Sequence, residues 1–279
     1  MNDKKKHRKR CFLHRCAQKI MVFRRITRII EVVLNERAVG KGLYGPYKLA
    51  VKMNLHYNRA NDLTQGSIMG TMLRFAVPMI LGNLLQQCYN IADTLIVGHY
   101  LGADALAAVG SAYTLMVFIT SVFIGLCMGS GAVFSIQYGA KDYEGMKQSL
   151  VSSLVLTGGV TLVLNIIALA GIHPIIRLLQ TPAEIKGLMF DYLFIIFPGI
   201  ASTFIYNYYA YLLRALGNSI VPLYFLAVSV VLNIVLDLLF IPIFHWGVSG
   251  AAAATVISQT IAAAGLLYLC IVSFFRYSD

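Results

Sequence analysis

Long apolar runs alternate with short polar segments from residue 68 to the end of the chain. Each run exceeds the roughly 20 residues that a helix needs to cross a hydrocarbon core of about 30 Å. The runs cover residues 68–97, 105–136, 150–172, 188–213, 220–243 and 247–273. Because an unpaired backbone is not tolerated in lipid, the pattern predicts an all-α, polytopic membrane bundle of six spans. It also predicts connecting loops at residues 141–147 and 173–186.

The fifth apolar run contains an asparagine, Asn233, and an aspartate, Asp237, which are four residues apart and share one helix face. An aspartate at the centre of a membrane helix costs about 2.5–3.5 kcal/mol, and each surrounding leucine, isoleucine or valine returns about 0.3–0.6 kcal/mol. The helix is therefore expected to insert with its carboxyl group turned toward protein or water. Two interpretations stay open, namely a structural polar clamp between helices and a functional site.

A polar stripe marks the first run. Its members are Asn83, Gln86, Gln87, Asn90 and Asp93. Gln86, Asn90 and Asp93 are separated by four and then by three residues, so they lie on one face of the helix. Pro78 precedes the stripe and is expected to kink the helix, because it removes a backbone hydrogen bond. The stripe favours a water-filled cavity, while the alternative leaves the acid solvated at the membrane surface.

Charge is distributed very unevenly along the 279 residues. Residues 1–74 contain 17 Lys and Arg against 4 Asp and Glu, whereas residues 75–279 contain 6 against 8. The net charge of +11 therefore belongs to an N-terminal arm, residues 1–60, and gives no support to nucleic-acid binding by the membrane body, residues 61–279. We expect the arm to be disordered or foreign to the native protein. Its first fifteen residues are too charged for a secretory signal peptide.

Basic residues between the spans predict the orientation. An even number of spans puts both ends on one side, which also holds most of the basic loop residues, so that side is expected to be cytoplasmic. The basic residues on that side are Lys141, Lys147, Arg214 and Arg276. The expected location is a bacterial inner membrane. The five cysteines have no metal-binding spacing, and no catalytic motif occurs, so neither a cofactor nor an enzyme is predicted.

Four short segments resemble the multidrug and toxic compound extrusion (MATE) transporters, most closely the DinF-like and MepA-like branch. They are YNIADTLIVG with LGADALAAVG at residues 89–110, LRALGNS at 213–219, the Asn233 and Asp237 pair, and GVSGAAAAT at 247–255. Their order and spacing match the first, fourth, fifth and sixth helices of that family. The resemblance covers about residues 62–275.

This resemblance implies the N-terminal six-helix lobe of a transporter that exports amphipathic, often cationic drugs against a flow of protons or sodium ions. It implies a cation-coupling site whose members are Asp93, Tyr192, Asn233, Asp237 and Thr255. All of these except the tyrosine are candidate sodium ligands. It further implies drug-cavity positions at Gln86 and Asn207 and a hinge at Pro78. The two acids are expected to share protons and titrate as a unit.

Two other functions remain open. A flippase for lipid-linked precursors would be expected to carry several Arg or Lys residues near mid-membrane to hold phosphate groups, and the spans carry none there. A non-transporting subunit or remnant is the other alternative, because members of the family have twelve helices in two lobes and this sequence contains six. The expected partners are therefore the bilayer, small amphipathic molecules and a second six-helix half.

Overall fold

The structure, a computed structural model, describes residues 68–276, which form seven helices and no strand within that range. The helices are α1 (Ile68–Leu101), α2 (Ala103–Gly139), α3 (Tyr143–Ala170), α4 (Ile172–Leu178), α5 (Lys186–Ala215), α6 (Ile220–Phe240) and α7 (Gly247–Arg276). The predicted basic arm, residues 1–60, lies outside the described residues. The prediction of an all-α bundle is confirmed.

Six long helices correspond to the six predicted spans. By length and composition, five of those in the described part are apolar enough to cross a membrane: α2, α3, α5, α6 and α7. The remaining long helix, α1, has 34 residues and is not among them. Its polar stripe lowers the hydropathy of the second half of the helix, because amide and carboxylate groups are strongly unfavourable in hydrocarbon. The helix is therefore expected to need protein or water along one side.

Both predicted loops are partly wrong. The charged segment 141–147 already contains the first turn of α3, because Asp142 is the N-cap and accepts a hydrogen bond at Oδ1 from the Gly145 amide at 2.9 Å. The segment 173–186 contains most of α4. Pro174 lies in the first turn of that helix, where a missing amide hydrogen costs no helical bond.

The bundle places large apolar side chains on its outside. In α3 the buried positions are Thr157, Thr161, Asn165 and Ala168, whereas Leu156 and Ile167 are exposed. A helix with its polar side chains inside and its apolar ones outside is suited to lipid as the surrounding solvent. The same distribution would be unstable in water.

The central helix α5 packs against α2, α3 and α7, while α6 packs against α1 and α7. Small residues permit the closest of these approaches. A Cβ atom built on Gly199 of α5 would lie 2.5 Å from Cγ2 of Val256 in α7, so only glycine fits there without a shift. This packing aligns the polar residues of α5 and α7 along a common seam.

Candidate functional site

Four helices bring the five predicted cation-coupling residues together. Asp93 comes from α1, Tyr192 from α5, Asn233 and Asp237 from α6, and Thr255 from α7. All five are buried, with exposed fractions between 0% and 8%. The carboxyl groups of the two acids interact with each other, and the tyrosine lies within electrostatic range of both. The predicted residues therefore form one cluster in the fold.

Thr255 links three helices through its hydroxyl group. Its Oγ1 accepts a hydrogen bond from Nδ2 of Asn233 at 3.2 Å and is hydrogen-bonded to the hydroxyl of Tyr89 at 3.1 Å. Sequence reasoning did not assign Tyr89 to the site. A local signal for it exists, since Tyr89 precedes Asp93 by four residues and so shares its helix face.

The cluster is rich in acceptors and poor in donors. Four of its buried oxygens have no hydrogen-bond partner: Oδ1 of Asp93, Oδ1 of Asn233, and both Oδ1 and Oδ2 of Asp237. Unpaired buried acceptors are costly, and such groups are normally satisfied in folded proteins. Protons would turn carboxylates into donors, and a hard cation would bind the oxygens directly. The available ligand atoms are all oxygens, and these can bind either protons or a hard cation.

The cluster does not resemble a site for a resident transition metal. Among the described residues there is no group of three or more His, Cys, Asp or Glu side chains that could hold a metal ion. Two carboxylates with an amide and a hydroxyl provide no nitrogen or sulfur ligand. Oxygen ligands of this kind suit hard cations better than transition metals.

Asp237 lies in the last turn of α6, which ends at Phe240. The apolar run in the sequence continues to about residue 243, three residues past the end of the helix. The following Pro242 accounts for the helix end, because it has no amide hydrogen to continue the helical hydrogen bonds. At 1.5 Å per residue, the carboxyl-bearing residue is only about 5 Å from the end of its helix. The cluster therefore lies near the end of the bundle that contains the α6–α7 loop.

The two predicted drug-cavity residues line one cavity of about 50 Å³ between α1, α5, α6 and α7. Gln86 and Asn207 share it with polar residues that sequence reasoning did not assign. These are Tyr89, Thr203, Tyr206, Ser229, Ser258 and Gln259. Thr203 donates a hydrogen bond to Oε1 of Gln259, and its backbone carbonyl accepts one from Asn207 at 2.8 Å. Thr203 precedes the predicted cavity residue Asn207 by four residues and so shares its helix face, but this spacing alone does not identify a cavity residue.

Tyr89 separates the cavity from the acids. Its side chain lines the cavity, and its hydroxyl group bonds to Thr255. Asp93, Asn233 and Asp237 do not line the cavity. The polar chamber and the carboxyl cluster are therefore neighbours. They are joined through Tyr89 and through Ser258, which lines the cavity and donates a hydrogen bond to the backbone carbonyl of Thr255 at 3.0 Å. Pro78 lies inside α1, eleven residues before Tyr89, and the helix continues through the proline.

Comparisons with known proteins agree on one family. The MatE family model matches residues 78–239. The probable multidrug resistance protein YpnP of Bacillus subtilis is 38% identical over 212 residues, which are 76% of this chain and 48% of the relative. The multidrug export protein MepA of Staphylococcus aureus is 33% identical over 215 residues, 75% of this chain and 45% of the relative. The chain thus spans about half the length of the curated relatives it matches.

The fold agrees as well. An outward-facing structure of a multidrug resistance MATE family transporter of the MOP superfamily superimposes with a TM-score of 0.68 and 29% identity. The match covers 72% of this chain and 44% of that structure. The six long helices therefore have the arrangement found in part of a larger transporter.

Proposed function

The chain belongs to the MATE family of transporters, and on this premise we propose that it provides the drug-binding and cation-coupling part of an exporter. Membership of the family identifies a multi-pass membrane protein and confirms the prediction that the chain is not an enzyme. The proposed substrates are small amphipathic molecules, often cationic. They are the class expected from the sequence resemblance, and the relatives are named as multidrug resistance and export proteins.

The observation that carries this proposal is the buried group of four oxygens without partners beside a polar cavity. We assign cation coupling to Asp93, Asp237, Asn233, Thr255 and Tyr192. A proton or a sodium ion would satisfy the acceptors, and removing it would leave like charges facing each other. The occupied and empty states must therefore differ in hydrogen bonding around Thr255.

Drug binding is assigned to the cavity of Gln86 and Asn207, which at about 50 Å³ has to widen to admit a drug-sized molecule. Because Tyr89 belongs to the cavity wall and also bonds to Thr255, a change in the cation site reaches the cavity directly. A cation that binds one state better than the other then changes the drug affinity, and the drug changes the cation affinity by the same factor. Pro78 is proposed as the hinge of α1, since a proline inside a helix lacks one backbone hydrogen bond and bends more easily.

The remaining half of the transporter is proposed to be a second six-helix lobe. Alternating access requires two bundles that rock about a site between them. We propose that Lys141, Lys147 and Arg214 face the cytoplasm of a bacterium, with both ends of the chain on that side of the inner membrane. The flippase alternative receives no support from the cavity, because no Arg or Lys is among the residues that line it.

Binding measurements test this function without requiring transport by one lobe. The full chain in lipid nanodiscs is titrated with a fluorescent lipophilic cation, first over pH at constant sodium and then over sodium at constant pH. We expect the affinity to change in one of the two series. The double variant Asp93→Asn with Asp237→Asn should abolish that dependence, because its amides do not titrate and lack the negative charge of the carboxylates.

Asp191→Asn is the matched control. Asp191 precedes Tyr192 in α5 but is exposed, so its substitution should leave the ion dependence intact. Ion dependence that persists unchanged in the double variant would refute the proposed coupling site. Absence of any drug binding by the unmodified chain would support the alternative of a non-transporting subunit.

A further inference from the structure

A second group of polar side chains lies beside the face of α1 that carries Asp93. With 3.6 residues per turn, Asn83, Gln87, Asn90 and Thr94 project about 60–120° around the helix from the acid. Three of them, Asn83, Gln87 and Thr94, are exposed, and Asn90 is half-buried. Exposed amides in the middle of a long membrane helix are unfavourable against acyl chains. This face therefore requires water or protein.

Part of this group forms a hydrogen-bonded cluster with α2. Nδ2 of Asn90 donates to Oε1 of Gln87 at 3.2 Å and to the hydroxyl of Tyr113 at 3.2 Å. We call Gln87, Asn90 and Tyr113 the access cluster. Tyr113 is 47% exposed, so the cluster begins at the surface of the bundle.

The inner end of the access cluster approaches the acids. Asn90 precedes Asp93 by three residues, so the two side chains lie on adjacent parts of the α1 surface. The titratable groups near Asp93 are Tyr89 on α1, Tyr192 on α5 and Asp237 on α6. Tyr113 on α2 is hydrogen-bonded to Asn90, and the uncharged Thr255 of α7 is hydrogen-bonded to Tyr89. Polar groups thus continue from the exposed surface to the buried carboxyl oxygens.

Neither acid lines the drug cavity, and Tyr89, which does line it, is hydrogen-bonded to Thr255. We propose that the access cluster is the path by which water and the coupling cation reach Asp93 and Asp237, separate from the drug cavity. This proposal rests on the proposed function. The cluster acts as a positioning element that keeps a polar gap between α1 and α2.

Hydroxyl-radical labelling of the full chain in lipid nanodiscs tests the path. Radicals made from water by a synchrotron pulse oxidise tyrosines that have water beside them. We expect Tyr192 to be labelled much faster than Tyr208, although both rings are buried, because Tyr208 lies in the apolar core against Phe134 and Phe204. Asn90→Leu should lower the rate at Tyr192 to that of Tyr208.

Two further variants keep this test decisive. Tyr113→Phe keeps the ring and removes the hydroxyl, so it should also slow labelling of Tyr192 if Asn90→Leu fails to fold. Thr114→Val removes a neighbouring hydroxyl that bonds only to the Gly110 carbonyl of its own helix, at 3.3 Å, and should have no effect. Equal rates at Tyr192 and Tyr208 in the unmodified protein, or a rate that neither variant lowers, would overturn the path.

The outcome is separable from that of the proposed function. If access-cluster variants leave labelling unchanged while the Asp93 and Asp237 double variant loses ion dependence, the path is wrong and the coupling site stands. If labelling falls as expected while the double variant keeps its ion dependence, the cluster admits water but the coupling site is wrong.

Discussion

Thr255 is the position where one hydroxyl group has the largest structural consequence. Its Oγ1 is hydrogen-bonded to Tyr89 of α1 at 3.1 Å and to Asn233 of α6 at 3.2 Å. Thr255→Val keeps the branched shape and removes both bonds. Interhelical bonds in membrane proteins contribute about 0.6 kcal/mol on average and up to about 1.7 kcal/mol, so two of them give about 1–3 kcal/mol.

The buried amide of Asn233 favours the upper part of that range. Its Oδ1 already has no partner, and the side chain is 1% exposed, so valine would leave the whole amide unsatisfied. A buried polar group without a partner costs about 1–3 kcal/mol. We therefore expect the free energy of unfolding to fall by about 2–3 kcal/mol.

Equilibrium unfolding in mixed micelles, followed by the fluorescence of Trp246, measures this change, because the chain contains one tryptophan. Thr255→Ser retains the hydroxyl and should recover most of the loss. A double-mutant cycle with Tyr89→Phe isolates the bond between α1 and α7. If Thr255→Val unfolds at the same denaturant concentration as Thr255→Ser, the hydroxyl does not link the three helices.

Two further substitutions test the packing that positions the site. Gly199→Ala would put a methyl group 2.5 Å from Cγ2 of Val256 and should destabilise the chain by about 1–3 kcal/mol in the same assay. Adding Val256→Ala should restore most of the lost stability. Gly125→Ala, whose methyl group meets open space, should not destabilise the chain. Additive losses in the Gly199 and Val256 pair would contradict the contact. Asp142→Ala removes the N-cap of α3 and should cost about 1 kcal/mol, and Asp142→Asn, which retains an acceptor, should cost less. Equal losses for both variants, measured by thermal unfolding, would show that the cap does not stabilise the helix.

Spacing within helices made much of the proposed cation site predictable. Asn233 and Asp237 are four residues apart, and a polar stripe on the first helix leads to Asp93, so each half could be recognised locally. Their meeting across α1 and α6 depends on packing between helices distant in sequence, which only the family resemblance implied. The end of α6 was misjudged for a related reason. Apolar residues continue past Phe240, and hydropathy alone does not register that Pro242 lacks the amide hydrogen needed to continue the helix.

Hydroxyl groups were harder to assign. Tyr89, Thr203 and Ser229 became visible as site residues only in the structure, because single Tyr, Thr and Ser residues are ordinary in membrane helices. The partner of Tyr89 is 166 residues away in the sequence. No local periodicity encodes such a contact. Acids in hydrocarbon are rare enough to be noticed individually, and hydroxyls are not.

The separation of cavity and acids limits how coupling can work under the proposed function. A drug and a cation that used the same ligands would compete directly, and no intermediate element would be needed. Here the four unpartnered oxygens and the cavity wall are different groups, and Tyr89 and Ser258 both line the cavity and bond to Thr255 of the cation cluster. Linkage then requires that the free energy of coupling pass through such shared residues, of which Tyr89 bonds across from α1 to α7. A separate path for the cation through the access cluster would be consistent with this arrangement, because it lets the cation site change occupancy while the drug cavity is filled.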